Sequence, residues 1–214
     1  MLKITIISDN TTAFRDLKSE WGFSALIEVE NTPLILFDTG ADSQILLHNM
    51  EKLKISPKSI QCVFISHSHW DHTGGLRDFL KLNPEVKLYV PEDFSDDIKA
   101  KEIIKVKDST KIYENVFSTG TLKGIEQSLV IKKGEEVVII VGCSHSGVGE
   151  ILKESEKFGR PKALIGGLHG FSEFSLIKDL DLICATHCTQ YKDKIKELYP
   201  EKFIEGGAGR VIEI

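Results

Sequence analysis

The chain has 214 residues, 41% apolar and 28% charged, with a net charge of -5. That length fits one domain with a substantial core, expected to span 1–214. The mild acidity argues against a nucleic-acid ligand, whose binders usually carry a basic surplus. No apolar run approaches the ~20 residues needed to cross a bilayer. The N-terminal apolar run is too short for a signal peptide, and four cysteines are too few for a disulfide framework. The expected compartment is therefore the cytoplasm.

In chain order, apolar and β-branched runs predict strands at 2–8, 24–30, 33–40, 61–66 and 86–90. More are predicted at 126–133, 136–142, 161–167, 180–186 and 210–214, the turn "KKGEE" making 126–141 a hairpin. Amphipathic spacing predicts helices over 42–53, with Asp42 or Ser43 as N-cap, and over 74–82 and 148–159. Nothing in 91–115 declares an element. The mixture is α/β, with helices covering sheets. Cys62 and Cys184 lie inside apolar runs and read as core residues. His48, in the middle of the first helix, reads as a surface or boundary residue.

Short polar loops follow several strands directly: "DTG", "SHSHWDH", "GCSHSG", "GGLHG" and "THCT". Loops at the C-terminal ends of strands in such sheets converge on sites. Six of the seven histidines lie in these loops.

The densest is "FISHSHWDHTGG" (64–75), which holds His67, His69, Asp71 and His72. Residues 66–72 read as loop, between a strand ending at Ile65 and a helix beginning at Thr73-Gly74-Gly75. Residues two apart in an extended segment project to one side, so His67 and His69 can face one ion, while Asp71 and His72 turn toward a second. Clustered imidazoles repel when protonated and pack poorly. Ligation of Zn²⁺, Fe²⁺ or Mn²⁺ is the simplest cause of such a cluster. Asp38, just past a buried run, is placed to accept the other ring N–H of a ligand histidine. Gly166-Gly167 offers backbone N–H groups to an anion. "EGGAGR" reads as a turn, and Trp70 as a pocket wall or a loop anchor. Cys143 and Cys188 flank candidate ligands without the paired spacing of a thiolate zinc site.

The run H-S-H-W-D-H resembles the H-x-H-x-D-H signature of the metallo-β-lactamase superfamily, and "LILFDTG" and "THC" resemble its flanking motifs. "GCSHSG", "IGGLHG" and "ATHCT" resemble the branch labelled dihydropterin-ribofuranosylaminobenzene phosphate synthase-like. The resemblance implies a four-layer αββα sandwich: two mixed sheets face to face, helices outside and a metal site along one edge. It implies that His67, His69 and His145 hold one ion, and that Asp71, His72 and His187 hold another. The sequence departs from the superfamily pattern in having no histidine between His72 and His145, and no bridging aspartate evident in "GCSHSG". Two zinc ions are favoured, with a single ion the alternative and iron or manganese the other metals.

The expected activity is a metal-dependent hydrolase, in which a metal-activated hydroxide attacks an ester, lactone, thioester or phosphoester in a small molecule. An anionic or phosphorylated substrate suits it. Asp71 and His169 are the candidates for moving protons. Competing readings are a pterin or ribofuranosyl-phosphate cofactor-pathway enzyme, an iron redox relative, and a non-catalytic metal-dependent ligand-binding module.

Overall fold

A computed structural model describes all residues, 1–214, as two compact units: Met1–Lys105 with Gly206–Ile214, and Val106–Glu205. The chain forms a seven-stranded and a six-stranded sheet, both mixed. No helix is long and apolar enough to cross a membrane.

In the first unit, β1 (Leu2–Ser8), β2 (Ser24–Val29), β3 (Ile35–Phe37), β4 (Cys62–Phe64) and β5 (Lys87–Pro91) lie in sequence order. Antiparallel pairing joins β1 to β2 and β2 to β3, and parallel pairing joins β3 to β4 and β4 to β5. Parallel neighbours need a crossover. It is supplied by α1 (Ser43–Lys52) between β3 and β4, and by α2 (Trp70–Thr73) and α3 (Leu76–Leu82) between β4 and β5. Asp42 caps α1 by accepting from Gln44 N at 2.7 Å. Alternation along the strands divides their side chains between two faces. Leu36, Val63 and Leu88 join a core with Leu46 and Met50 of α1 and Phe79 of α3, whereas Phe37 and Phe64 stack with centroids 5.5 Å apart. Each side chain so buried contributes about 1.5–3 kcal/mol.

The expectation of loop over 66–72 fails at its end, because residues 70–73 make the helical turn α2. A turn this short has no apolar periodicity to reveal it. Also unforeseen were β6 (Glu102–Val106), β7 (Asp108–Tyr113) and β8 (Val116–Gly120).

The second unit pairs β7, β8, β9 (Leu129–Lys133) and β10 (Glu136–Val141) antiparallel in that order. The expected hairpin is β9–β10. From β10 the sheet continues in parallel to β11 (Arg160–Gly167) and β12 (Leu182–Thr186), with α4 (Val148–Ser155) as the first crossover. Val137, Ile139, Leu164 and Ile183 pack with Ile151 of α4 and with Ile195 of α5 (Lys192–Leu198). The first unit is completed by a short β13 (Val211–Glu213), which belongs to it and pairs antiparallel with β1. Two mixed sheets with few helices bear out the α/β class read from the sequence.

Candidate metal centre

In the first unit, parallel strands β3 and β4 end at the same edge and release Asp38 and Ser66 side by side. Asp38 is fully buried and sits at φ 51°. Three donors converge on its carboxylate: Ser66 N on Oδ1, and Ser66 Oγ and His72 Nδ1 on Oδ2, each at 2.7 Å. A carboxylate only accepts, so His72 must donate from Nδ1, which leaves the lone pair on Nε2. Ser66 has given its hydroxyl hydrogen to Asp38. Its oxygen must therefore accept from His67 Nδ1, 2.9 Å away, and His67 too keeps its lone pair on Nε2. One buried carboxylate thus sets two imidazole tautomers, one directly and one through a serine.

The bare lone pair of His67 Nε2 meets His69 Nδ1 at 3.1 Å, and the His67 and His72 rings lie 4.1 Å apart. Asp71 Oδ2 is 3.9 Å from His72 Nε2. His67, Asp71 and His72 are buried, whereas His69 is exposed. Neutral imidazole nitrogens beside a carboxylate are the donor set that Zn²⁺ and similar divalent ions take. The chemistry of these residues therefore fits a metal.

The glycines that close the motif explain how Asp38 reaches His72. A Cβ on Gly74 would stand 2.0 Å from Ala41 O, and one on Gly75 2.3 Å from Thr39 O. Without side chains they let the 38–41 turn close down, where Thr39 N and Oγ1 donate to His72 O at 2.8 and 3.0 Å and Gly74 N to Gly40 O at 2.9 Å. Trp70 is 64% exposed, so it packs little against the loop.

In the second unit, β10, β11 and β12 likewise end together and carry His145, His169 and His187 in the loops that follow. Ser144 (φ 61°), His169 (φ 44°) and His187 (φ 51°) join Asp38 in the left-handed region. That conformation costs non-glycine residues of order 1–3 kcal/mol each, and such strain gathers at functional sites. Glu126, buried, fixes the 144–147 loop by accepting from Ser146 N and Oγ, both at 2.8 Å. Ser144 Oγ donates to Gly167 O at 2.8 Å. Leu168 N donates to Thr189 Oγ1 at 3.0 Å and Gln190 N to His169 O at 2.9 Å, tying the loops after β11 and β12 together. The His145 and His169 rings lie 4.9 Å apart. They share a cavity of about 480 Å³ with Lys123, Ser144, Leu168 and Phe171.

Gly166-Gly167 does not serve an anion as expected. Both glycines are strand residues, Gly167 N donates to Gly142 O at 3.0 Å, and a Cβ there would meet that oxygen at 2.4 Å and Cys188 Sγ at 2.7 Å. Their role is close approach. Cys143 and Cys188 have sulfurs 3.2 Å apart, and Cys143 Sγ lies within 4.8 Å of a His187 ring nitrogen. The hydrogen bond shared with Cys143, aided by neighbouring His187, holds the Cys188 thiol below its ordinary pKa against the opposing effect of burial.

Ser66, Glu126 and Cys143 as a donor escaped the sequence reading. A serine between a strand and a histidine has no signature of its own, and Glu126 stands 20 residues from the serine it holds.

The description "Metallo-beta-lactamase superfamily" matches residues 22–103. A protein of Methanocaldococcus jannaschii named 7,8-dihydropterin-6-methyl-4-(beta-D-ribofuranosyl)-aminobenzene-5'-phosphate synthase is 28% identical, over 91% of this chain and 90% of its own. The crystal structure of Tm1679, described as a metal-dependent hydrolase of the beta-lactamase superfamily, aligns with a TM-score of 0.79 at 24% identity, covering 100% of this chain and 99% of that one. Zn²⁺-bound PqqB from Methylobacterium extorquens aligns at 0.67 with 10% identity, over 99% and 100%. The resemblance read from the motifs is borne out.

Proposed function

Starting from a chain that resembles the metallo-β-lactamase superfamily in sequence and fold, we propose that it is a metal-dependent hydrolase of a small, anionic substrate. The observation that carries the reading is the network around Asp38, which gives His67 and His72 the tautomer a metal requires. We assign His67, His69, Asp71, His72, His145 and His187 as ligands of one or two ions, zinc first. Cys143 supplies a further anionic donor where the bridging aspartate is missing, since thiolate suits zinc. When bound, the ion supplies Lewis acidity, bringing the pKa of water toward neutrality and polarising a substrate oxygen.

The protein's own groups do the rest. Asp38 and Ser66 keep the imidazoles oriented while charge builds beside them. Asp71, almost wholly buried, accepts the proton released from the attacking water. His169, exposed at the mouth of the cavity it shares with His145, returns a proton to the leaving group. Lys123, on the same cavity wall, suits a carboxylate or phosphate on the substrate.

Zinc-loaded protein assayed on esters, thioesters, lactones, phosphomonoesters and phosphodiesters should turn over at least one class, and His67→Ala should abolish that turnover. A fully loaded preparation inert to the whole panel would overturn the hydrolase reading. The pterin-linked relative supports a second reading, in which the same centre serves ribofuranosyl-phosphate or pterin chemistry. Saturable binding of such compounds by protein that is inert on the panel would favour it.

A further inference from the structure

Two of the four cysteines are left over once the core is built. Cys62 and Cys184 are fully buried within strands. Cys143 and Cys188 instead sit in the loops after β10 and β12, the loops that also carry His145 and His187. Their sulfurs are 3.2 Å apart in the reduced state, against about 2.05 Å in a disulfide, so bonding needs a shift of little more than an ångström. Access is graded. Cys143 is 3% exposed and Cys188 is partly exposed, so an incoming reagent meets Cys188 first and Cys143 stands behind it. Gly167 leaves the room: a Cβ there would collide with Cys188 Sγ at 2.7 Å.

We propose that Cys143 and Cys188 form a thiol–disulfide exchange site, a modification site whose substrate is a low-molecular-weight disulfide and whose oxidation withdraws Cys143 as a metal donor. The Cys188 sulfur attacks one sulfur of the reagent, R–S–S–R, forming a mixed disulfide and releasing one R–SH with the Cys188 proton. The Cys143 sulfur then attacks Cys188 Sγ, forming the Cys143–Cys188 bond and expelling the second R–S⁻, which leaves as R–SH with the Cys143 proton, or with a solvent proton where a metal already holds Cys143 as thiolate. Two electrons pass from the protein to the reagent, and the other two cysteines are untouched. Nothing in the exchange itself requires a metal. The withdrawal of Cys143 rests on the ligand set proposed above.

The test exposes reduced, zinc-loaded, full-length protein to oxidised glutathione, quenches it in denaturant with an alkylating agent, and maps the peptides. The expected product has two cysteines protected from alkylation and a linked pair of peptides holding residues 143 and 188. Cys143→Ser should stop at a glutathione adduct on Cys188, and Cys188→Ser should stay unmodified. Alkylation of all four cysteines, or a linkage through Cys62 or Cys184, would overturn the exchange site. Zinc affinity, measured by chelator competition before and after oxidation, should fall about tenfold or more at one ion, the scale seen when a metal site loses support. A protein that forms the linkage with unchanged zinc affinity would overturn the coupling to metal, while leaving the histidine ligands unchallenged.

Discussion

Replacing Asp38 by asparagine changes almost no volume and tests the tautomer argument directly. The carboxylate accepts from Ser66 N, Ser66 Oγ and His72 Nδ1 at 2.7 Å each. An asparagine can keep its oxygen on Ser66 N, but its NH₂ then faces a hydroxyl and an imidazole N–H that both need an acceptor. Relief requires His72 to move its hydrogen from Nδ1 to Nε2, and Ser66 to turn so that His67 loses its acceptor. Both shifts put a hydrogen on, or free one toward, the nitrogen that should meet the ion. A misdirected buried donor costs about 1–3 kcal/mol, and at 1.4 kcal/mol per tenfold that corresponds to a roughly 5–150-fold weaker hold on zinc. Chelator competition measures this, and nitrogen NMR of the metal-free protein reads the tautomers. Asp38→Asn protein that retains wild-type zinc affinity, with Nδ1-protonated His67 and His72, would refute the reasoning.

Three further outcomes are expected. Gly74→Ala forces a methyl within 2.0 Å of Ala41 O and should lower unfolding stability by about 1–3 kcal/mol in urea titration; a change below measurement error would contradict the close packing. Glu126→Ala strips Ser146 N and Oγ of their acceptor and should cost about 1–3 kcal/mol, whereas Glu126→Gln, which keeps an oxygen, should recover much of it. Burial pushes the Glu20 carboxyl above its ordinary range. An acid with a raised folded pKa contributes most below its unfolded value. Stability is lost as pH climbs from about 4.3 through the folded value, so Glu20→Gln should gain on wild type across that interval and hold a constant difference above it. A flat or opposite trend in pH-dependent denaturation would sink the assignment.

Much of this was legible because burial and chemistry leave marks in composition. Runs such as "EVVIIVG" became β10 because only buried strands tolerate such unbroken β-branched apolarity. Asp42 announced a helix start because its side chain caps the first turn. The strands β6 and β7 left no such mark. Their residues, "EIIKV" and "DSTKIY", are mostly exposed, so neither burial nor clean alternation selects for a pattern. Only Ile195 of α5 is buried, and "KDKIKEL" reads as polar loop. At the metal centre the histidines stand out by density, and Asp38 by its place after a strand. Ser66 joins the site by linking Asp38, past the end of the neighbouring strand, to His67, a relation between strands that linear spacing does not encode.

The account stands on imidazole nitrogens held ready for a metal, and anomalous diffraction at the zinc edge measures that most directly. Crystals grown with zinc should show peaks about 2.0–2.1 Å from Nε2 of His67 and of His72, with Nδ1 of each still bound to Ser66 and Asp38. Peaks confined to other residues, or zinc held through Nδ1 of either ring, would contradict it.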